Sequence, residues 1–273
     1  MAIVNDKYIL ELERLRQNLV NVLKEKGLIV DANETLNNLI PLVNDNLFKD
    51  NQLSLLAENK VDYYKDIQTT NICQYSFYYK TSIIKAYLPN VRTIDAKAFN
   101  YCTNLRYIYL PNLVELKGIF NTSGGTFCNT NIENLILPNY SISSFKNNNY
   151  CDYFYGMSKL KRLIIPKSPL LYNATYNFEI LDCNLAGTNF KALNLKTLVM
   201  RGYKDSILSL SNSSNISNIA EIYVPNSQLE NFKVDTNWAV YADKFKALEG
   251  SKYESLTWYE NEDWYKEEMA VWQ

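Results

Sequence analysis

Histidine is absent from all 273 residues. Without an imidazole the chain cannot build a Ser-His-Asp or Cys-His nucleophilic centre, and it lacks the commonest protein metal ligand. Cysteine is sparse. Cys73, Cys102, Cys128, Cys151 and Cys183 form no C-x-x-C pair, and an odd count does not suit a disulfide framework, so these thiols are expected to serve as small core hydrophobes. Neither G-x-x-x-x-G-K-[ST] nor G-x-G-x-x-G occurs, which removes the two common backbone cradles for nucleotide phosphates. Gly124-Gly125 reads as a turn in a polar loop. No run of about 18 apolar residues exists, so no membrane-crossing helix is expected. The opening M-A-I-V-N-D-K-Y has no signal-peptide pattern, because acidic residues arrive at Asp6 and Glu11. The net charge of −1 offers no basic surface to a nucleic acid. Carboxylates are plentiful, but no spacing singles out a pair for glycoside hydrolysis. No enzymatic activity, cofactor, metal site, nucleic-acid partner or membrane insertion is therefore expected.

What the chain has instead is a recurring phrase. It reads I-I-K-A-Y-L-P from Ile83, L-R-Y-I-Y-L-P from Leu105, I-E-N-L-I-L-P from Ile132 and L-K-R-L-I-I-P from Leu160. A fifth copy, L-K-T-L-V-M-R from Leu195, ends in Arg201 where the others have proline, and a sixth, I-A-E-I-Y-V-P, starts at Ile219. The copies start 22, 27, 28, 35 and 24 residues apart. A fixed phrase at such a period marks a solenoid, in which no unit buries its own apolar face and neighbours must stack. Apolar residues at the fourth and sixth positions alternate onto one face of a short strand, the first position feeds the same core, and proline ends the ladder. Stacked copies predict a parallel sheet. Between them lie polar, Asn-rich connectors, of which residues 95–104, D-A-K-A-F-N-Y-C-T-N, predict one helical turn with Ala98, Phe99 and Cys102 inward.

These residues resemble leucine-rich repeats of the BspA-like type. The family phrase, roughly L-x-x-I-x-L-P after an I-x-x-x-A-F-x-x-C connector, is met almost fully over residues 94–110; Thr126-Phe127-Cys128 keeps part of it, and the units at Leu160 and Leu195 have lost the cysteine. The resemblance covers about half of the chain. It implies an α+β leucine-rich-repeat solenoid with a parallel strand stack, and it says little of function, since such folds host many binders.

Residues 6–26 predict a helix, with Leu12, Leu15, Leu19 and Leu23 in one stripe, Leu10 and Val20 beside it, and Gly27 as its stop. A second helix is expected over residues 33–43, capped by Asn33 or Thr35, with Leu36, Leu39, Ile40 and Val43 apolar and Pro41 as a kink. The pieces L-R-Q-N-L-V-N-V-L-K-E-K-G-L and E-T-L-N-N-L-I-P-L-V are similar to a segment at the start of tail and virion structural proteins of phages of Gram-positive bacteria, where it serves assembly; a helical hairpin capping the first repeat is the alternative. Residues 46–80 hold aromatic alternation, K-V-D-Y-Y-K-D-I and Q-Y-S-F-Y-Y-K, that suits strands in either an irregular first repeat or a linking hairpin. After the sixth phrase, Ser227 and Glu230 form a capping-box pattern, and Trp238, Tyr241, Phe245 and Leu248 predict a helix ended by Gly250.

The organisation read from these features is a helical assembly or attachment segment (1–48), a linker or irregular first repeat (49–80), the repeats (81–226), a C-terminal helical cap (227–250) and an acidic, aromatic tail (251–273). The fifth position of each phrase should point outward, giving a row of Tyr87, Tyr109, Ile136, Ile164, Val199 and Tyr223, with Tyr107 and Arg162 in the third-position row beside it. Such an apolar row is either strand chemistry or a partner surface, with protein contact ranked above glycan binding. Leu12, Leu15, Leu19 and Leu23 are the candidate oligomerisation or docking stripe. The two resemblances together imply a phage tail, baseplate or fibre protein, made in the host cytoplasm without a signal peptide and located in the virion. Its partners would be other virion or tail proteins, a host cell-surface protein or glycan, and further copies of itself, with a trimer suited to a fibre. A bacterial or protist surface adhesin is the alternative, and a soluble intracellular scaffold a third reading.

Overall fold

The structure, a computed structural model, describes residues 3–25, 30–40, 54–117, 125–141, 154, 156–168, 175–176, 178–184, 191–192, 194–202, 216, 218–236 and 238–273. Contacts divide the chain into two compact units, Met1–Glu58 and Asn59–Gln273.

In the first unit a helix spans Ile3–Glu25, and residues 36–40 are helical after a turn in which the Asp31 carboxylate accepts a bond from the Asn33 backbone N–H. Val20 and Leu23 pack with Val30 and Leu39, and Leu19 lies against them. Arg16 ties the two helical pieces by donating to the carbonyls of Ala32 and Glu34. Only the later turns of the long helix meet the short one, so Leu12 and Leu15 stay 53% and 49% exposed. Gly27, Pro41 and Val43 lie outside the described residues.

In the second unit, strands run in the order β1 Tyr63–Lys65, β2 Asn71–Ile72, β3 Lys85–Tyr87, β4 Thr93–Ile94, β5 Tyr107–Tyr109, β6 Glu115–Leu116, β7 Asn134–Ile136, β8 Arg162–Ile165, β9 Thr175–Tyr176, β10 Ile180–Cys183, β11 Lys191–Ala192, β12 Thr197–Met200, β13 Glu221–Val224 and β14 Phe245–Ala247. All described pairings are parallel. The phrase strands form two sheets, β1-β3-β5 and β7-β8-β10-β12-β13-β14; β2-β4-β6 form a third, of shorter strands, and β9-β11 a two-stranded fourth. The fold is the expected leucine-rich-repeat solenoid. Its fourth-position residues, Tyr64, Ala86, Ile108, Leu135, Leu163, Leu181, Leu198, Ile222 and Phe245, are all buried.

Several expectations change. The strands at Leu160 and Leu195 are not neighbours, because β10 lies between them. Its phrase, F-E-I-L-D-C-N, starts with Phe178, carries Asp182 at the fifth position and ends in Asn184 instead of proline, so the long gap is two short units (160 to 178 and 178 to 195). Residues 61–67 supply a true first repeat strand, β1. The Q-Y-S-F-Y-Y-K segment is a connector of turns, not a strand, and the expected helical turn at residues 95–104 is likewise a pair of turns, with Lys97 and Tyr101 at positive φ. Finally, the helix expected from Trp238 to Leu248 is a 3-10 segment, Ala239–Lys244, followed by β14. The capping box does not form either: the helix Leu229–Val234 starts after Gln228, with no side-chain cap bond.

The connectors are stacked by rings and amides. Phe77 lies parallel to Phe99 at 4.6 Å, and Phe99 to Phe127 at 5.8 Å. The asparagine after each of the first three strand-ending prolines donates to the preceding repeat: Asn90 to the Ile67 carbonyl, Asn112 to that of Pro89 and Asn139 to that of Pro111. Cys102, Cys128 and Cys183 are buried, Cys73 is exposed, and none of the four is in a disulfide; Cys151 lies outside the described residues. Burial pushes the Cys102 thiol up to about 12, which keeps it protonated and unreactive. At the far end Phe232, Trp238 and Phe245 pack ring against ring and close the stack.

Candidate functional site

Strand register fixes the fifth-position row as Lys65, Tyr87, Tyr109, Ile136, Ile164, Asp182, Val199, Tyr223 and Lys246. Period-2 geometry turns this row away from the solenoid interior. The expectation that it is exposed is corrected: Ile164 and Val199 are 0% exposed. The chain's own C-terminal segment covers them. After Gly250, whose φ of 79° is one a side chain rarely adopts, the chain turns back across the row through a 3-10 segment, Trp258–Asn261, and a helix, Asp263–Ala270. Ile164 and Val199 share one buried cluster with Leu248, Tyr253, Trp258 and Tyr259; Ile136, Tyr223, Trp264 and Tyr265 border it.

Contacts run the length of the face. Tyr223 meets Tyr253 at 4.8 Å. Arg162 lies over the Trp264 ring at 4.8 Å. Tyr87 and Tyr109 stack on each other at 4.9 Å, and Trp272 sits 5.6 Å from Tyr87, 6.2 Å from Tyr109 and 6.5 Å from Tyr107. All eight residues read from the sequence as a contact face thus lie on one surface, and this segment occupies it.

A buried ion pair clamps the crossing. Arg201 donates from Nε and Nη2 to the two oxygens of Asp182, both at 2.8 Å, and the Trp258 indole N–H donates to Asp182 at 2.7 Å. Arg201 also donates to the carbonyls of Tyr253, Glu254 and Ser255. Burial pushes the Asp182 carboxyl upward, and the guanidinium and the indole oppose that push. The departure from proline at Arg201 was the visible signal in the sequence; its partner went unseen because β10 did.

Two further features belong to this unit. Where β5 and β7 fail to pair, a cleft of about 330 Å³ opens beneath the C-terminal helix. Glu268, 8% exposed, lines it and accepts from the Asn134 amide at 2.6 Å, while Arg162 donates to the other end of that amide at 2.9 Å. Burial lifts the Glu268 carboxyl to about 7, against the pull of Asn134 and Arg162.

The second feature is a tyrosine cluster in the connectors. Tyr79 stacks on Tyr101 at 4.5 Å, Tyr78 meets both edge-on, and Tyr75 meets Tyr78 at 5.2 Å. Tyr75 and Tyr79 are 48% and 51% exposed. Tyr75, Tyr79 and Tyr101 have positive φ, as does Asn129 at the position that follows Tyr101 in the stack. That conformation suits asparagine and costs a bulky residue roughly 1–2 kcal/mol. The pattern read from the sequence missed this cluster because it assigned Q-Y-S-F-Y-Y-K to a strand.

Among the described residues no group of three acidic or cysteine side chains could hold a metal ion, and no helix is long and apolar enough to cross a membrane. A family model described as BspA type leucine rich repeat region matches residues 70–207 and 123–248, in six copies. No curated protein matches the chain.

Proposed function

We propose that this chain, which belongs to the BspA type leucine-rich repeat family, is a non-enzymatic structural and binding protein of a phage tail, baseplate or fibre, whose repeat unit contacts a host surface or a neighbouring virion protein. Repeats of this family fit a protein-binding or surface role. The observation that carries the binding reading is the connector tyrosine cluster: exposed rings held in backbone conformations that do not favour them, on a unit whose strand face is already filled. Strained, exposed aromatics of this kind mark contact sites. The virion setting is supported by the likeness of the N-terminal pieces to phage assembly segments. A cell-surface adhesin is the second reading, and family membership favours it equally. Mass spectrometry of purified particles and of surface-shaved host cells separates the two: recovery from the cell surface alone would reject the virion.

Tyr79→Ser with Tyr101→Ser should weaken adsorption or assembly by about tenfold or more while leaving the far-UV CD spectrum unchanged, as loss of an aromatic hot spot does. Wild-type adsorption by the double variant would show the cluster to be idle.

Self-association is assigned to the long N-terminal helix, through the exposed Leu12 and Leu15; Leu19 and Leu23 already pack within their own unit. Light scattering on the full chain should give an oligomer mass that falls to the monomer in the Leu12→Ser, Leu15→Ser variant. Equal masses would remove this helix as the association element.

A further inference from the structure

We propose that the cleft between β5, β7 and the C-terminal helix binds a quaternary alkylammonium group. This inference stands apart from the virion reading, since it rests on the cleft alone. Four aromatic rings line the space, Tyr109, Tyr259, Tyr265 and Trp272, together with the carboxylates of Glu260 and Glu268. Trp272 lies 6.2 Å from Tyr109, and Tyr259 lies 5.1 Å from Tyr265, so the rings form two touching pairs. A volume of about 330 Å³ falls at the small end of ligand pockets, which run from about 300 to 1,000 Å³.

Ring faces carry negative quadrupole potential and attract a cation whose charge is spread over methyl groups. Burial raises the phenols of Tyr109, Tyr259 and Tyr265, and the charge of Glu260 adds to that push, so its negative field reaches the rings. An anion would meet Glu260 and Glu268, with only Lys167 among the lining residues to receive it, and Lys167 already donates to Asn139. A primary ammonium draws on three acceptors, and two at the cleft are already engaged: one Glu268 oxygen accepts from Asn134 and the Asn139 oxygen from Lys167. A quaternary cation needs no acceptor, only rings and a carboxylate nearby.

The charge state of Glu268 gives the site a pH dependence. It is faced by the Asn134 amide from β7, by Arg162 from β8, by Glu133 beside β7, and by Tyr265 within its own segment. Its carboxyl titrates at about 7, so the carboxylate that attracts the ligand is lost as pH falls through that value.

Isothermal titration of the full chain with choline chloride, against sodium chloride and the uncharged isostere 3,3-dimethylbutan-1-ol, tests the proposal. Choline should bind at least about tenfold tighter than the alcohol at about pH 8, with affinity falling towards about pH 5.5. Trp272→Leu and Glu260→Gln should each weaken choline binding severalfold with an unchanged far-UV spectrum, and Glu268→Gln should weaken it and flatten the pH profile. Equal affinity for the alcohol, absence of heat from choline, or affinity unchanged in all three variants would overturn it.

Discussion

Arg201→Met is expected to release the C-terminal segment and to destabilise the repeat unit by about 3–5 kcal/mol, the cost of removing one partner of a buried ion pair. Asp182 is 0% exposed and would keep only the Trp258 indole as a donor. The carbonyls of Tyr253, Glu254 and Ser255 would lose the donor that converges on them. The loss should appear in two ways. Urea unfolding should shift to a lower midpoint, and trypsin should cut at Lys252 and Lys266 far faster than in the parent. Pairing Arg201→Met with Asp182→Leu should restore most of the stability, because an apolar replacement of both partners leaves no charge stranded. An unchanged unfolding midpoint in the single variant would show that the clamp contributes nothing.

The second large effect is expected at Leu110, 1% exposed at the sixth position of the second phrase. Leu110→Asp removes a core side chain and places a carboxyl group among apolar neighbours. The lost packing alone costs about 3–5 kcal/mol, and the buried polar group adds to it. Little soluble full-length protein should be recovered, and what is recovered should unfold at much lower denaturant. Leu110→Met keeps volume and polarity and should cost less than about 1.5 kcal/mol. If the aspartate variant unfolded like the methionine one, the sixth position would not be core.

The two variants touch residues of different legibility. Leu110 could be read directly, because strand period, terminal proline and repetition all agree on an inward sixth position. The same agreement located β3, β5, β7, β8 and β13, and period and repetition alone located β12, whose phrase ends in Arg201. The agreement failed at β10, where Phe178, Asp182 and Asn184 stand at positions that the six phrases fill with an aliphatic, with an aliphatic or tyrosine, and with proline or Arg201. Asp182 is the reason for the failure and the reason the strand matters: it interrupts the apolar pattern of the phrase, and its buried carboxylate is held by Arg201 and Trp258. The row itself was visible as apolar. Its occupant was not, because a tail rich in tryptophan and glutamate shows no period that ties it to strands far earlier in the chain. The tyrosine connectors were misread for a related reason, since aromatic residues at alternate positions score as strand while backbone φ decides otherwise.

The contact between Trp272 and Tyr63, at 6.2 Å, joins the first repeat strand to a residue some 200 positions later. A ribosome adding about 5–20 residues per second needs roughly 10–40 s to pass from one to the other. Throughout that interval the earlier repeats can stack, yet their outer row of tyrosine, isoleucine and valine stands bare, open to chaperones and to other nascent chains. The segment that seals it, from Tyr253 to Trp272, leaves the ribosome only after every repeat strand has done so. A chain nicked or ended before Tyr253 would carry a complete stack with an adhesive flank, so the sealed surface reports that the polypeptide has been made through the helix Asp263–Ala270.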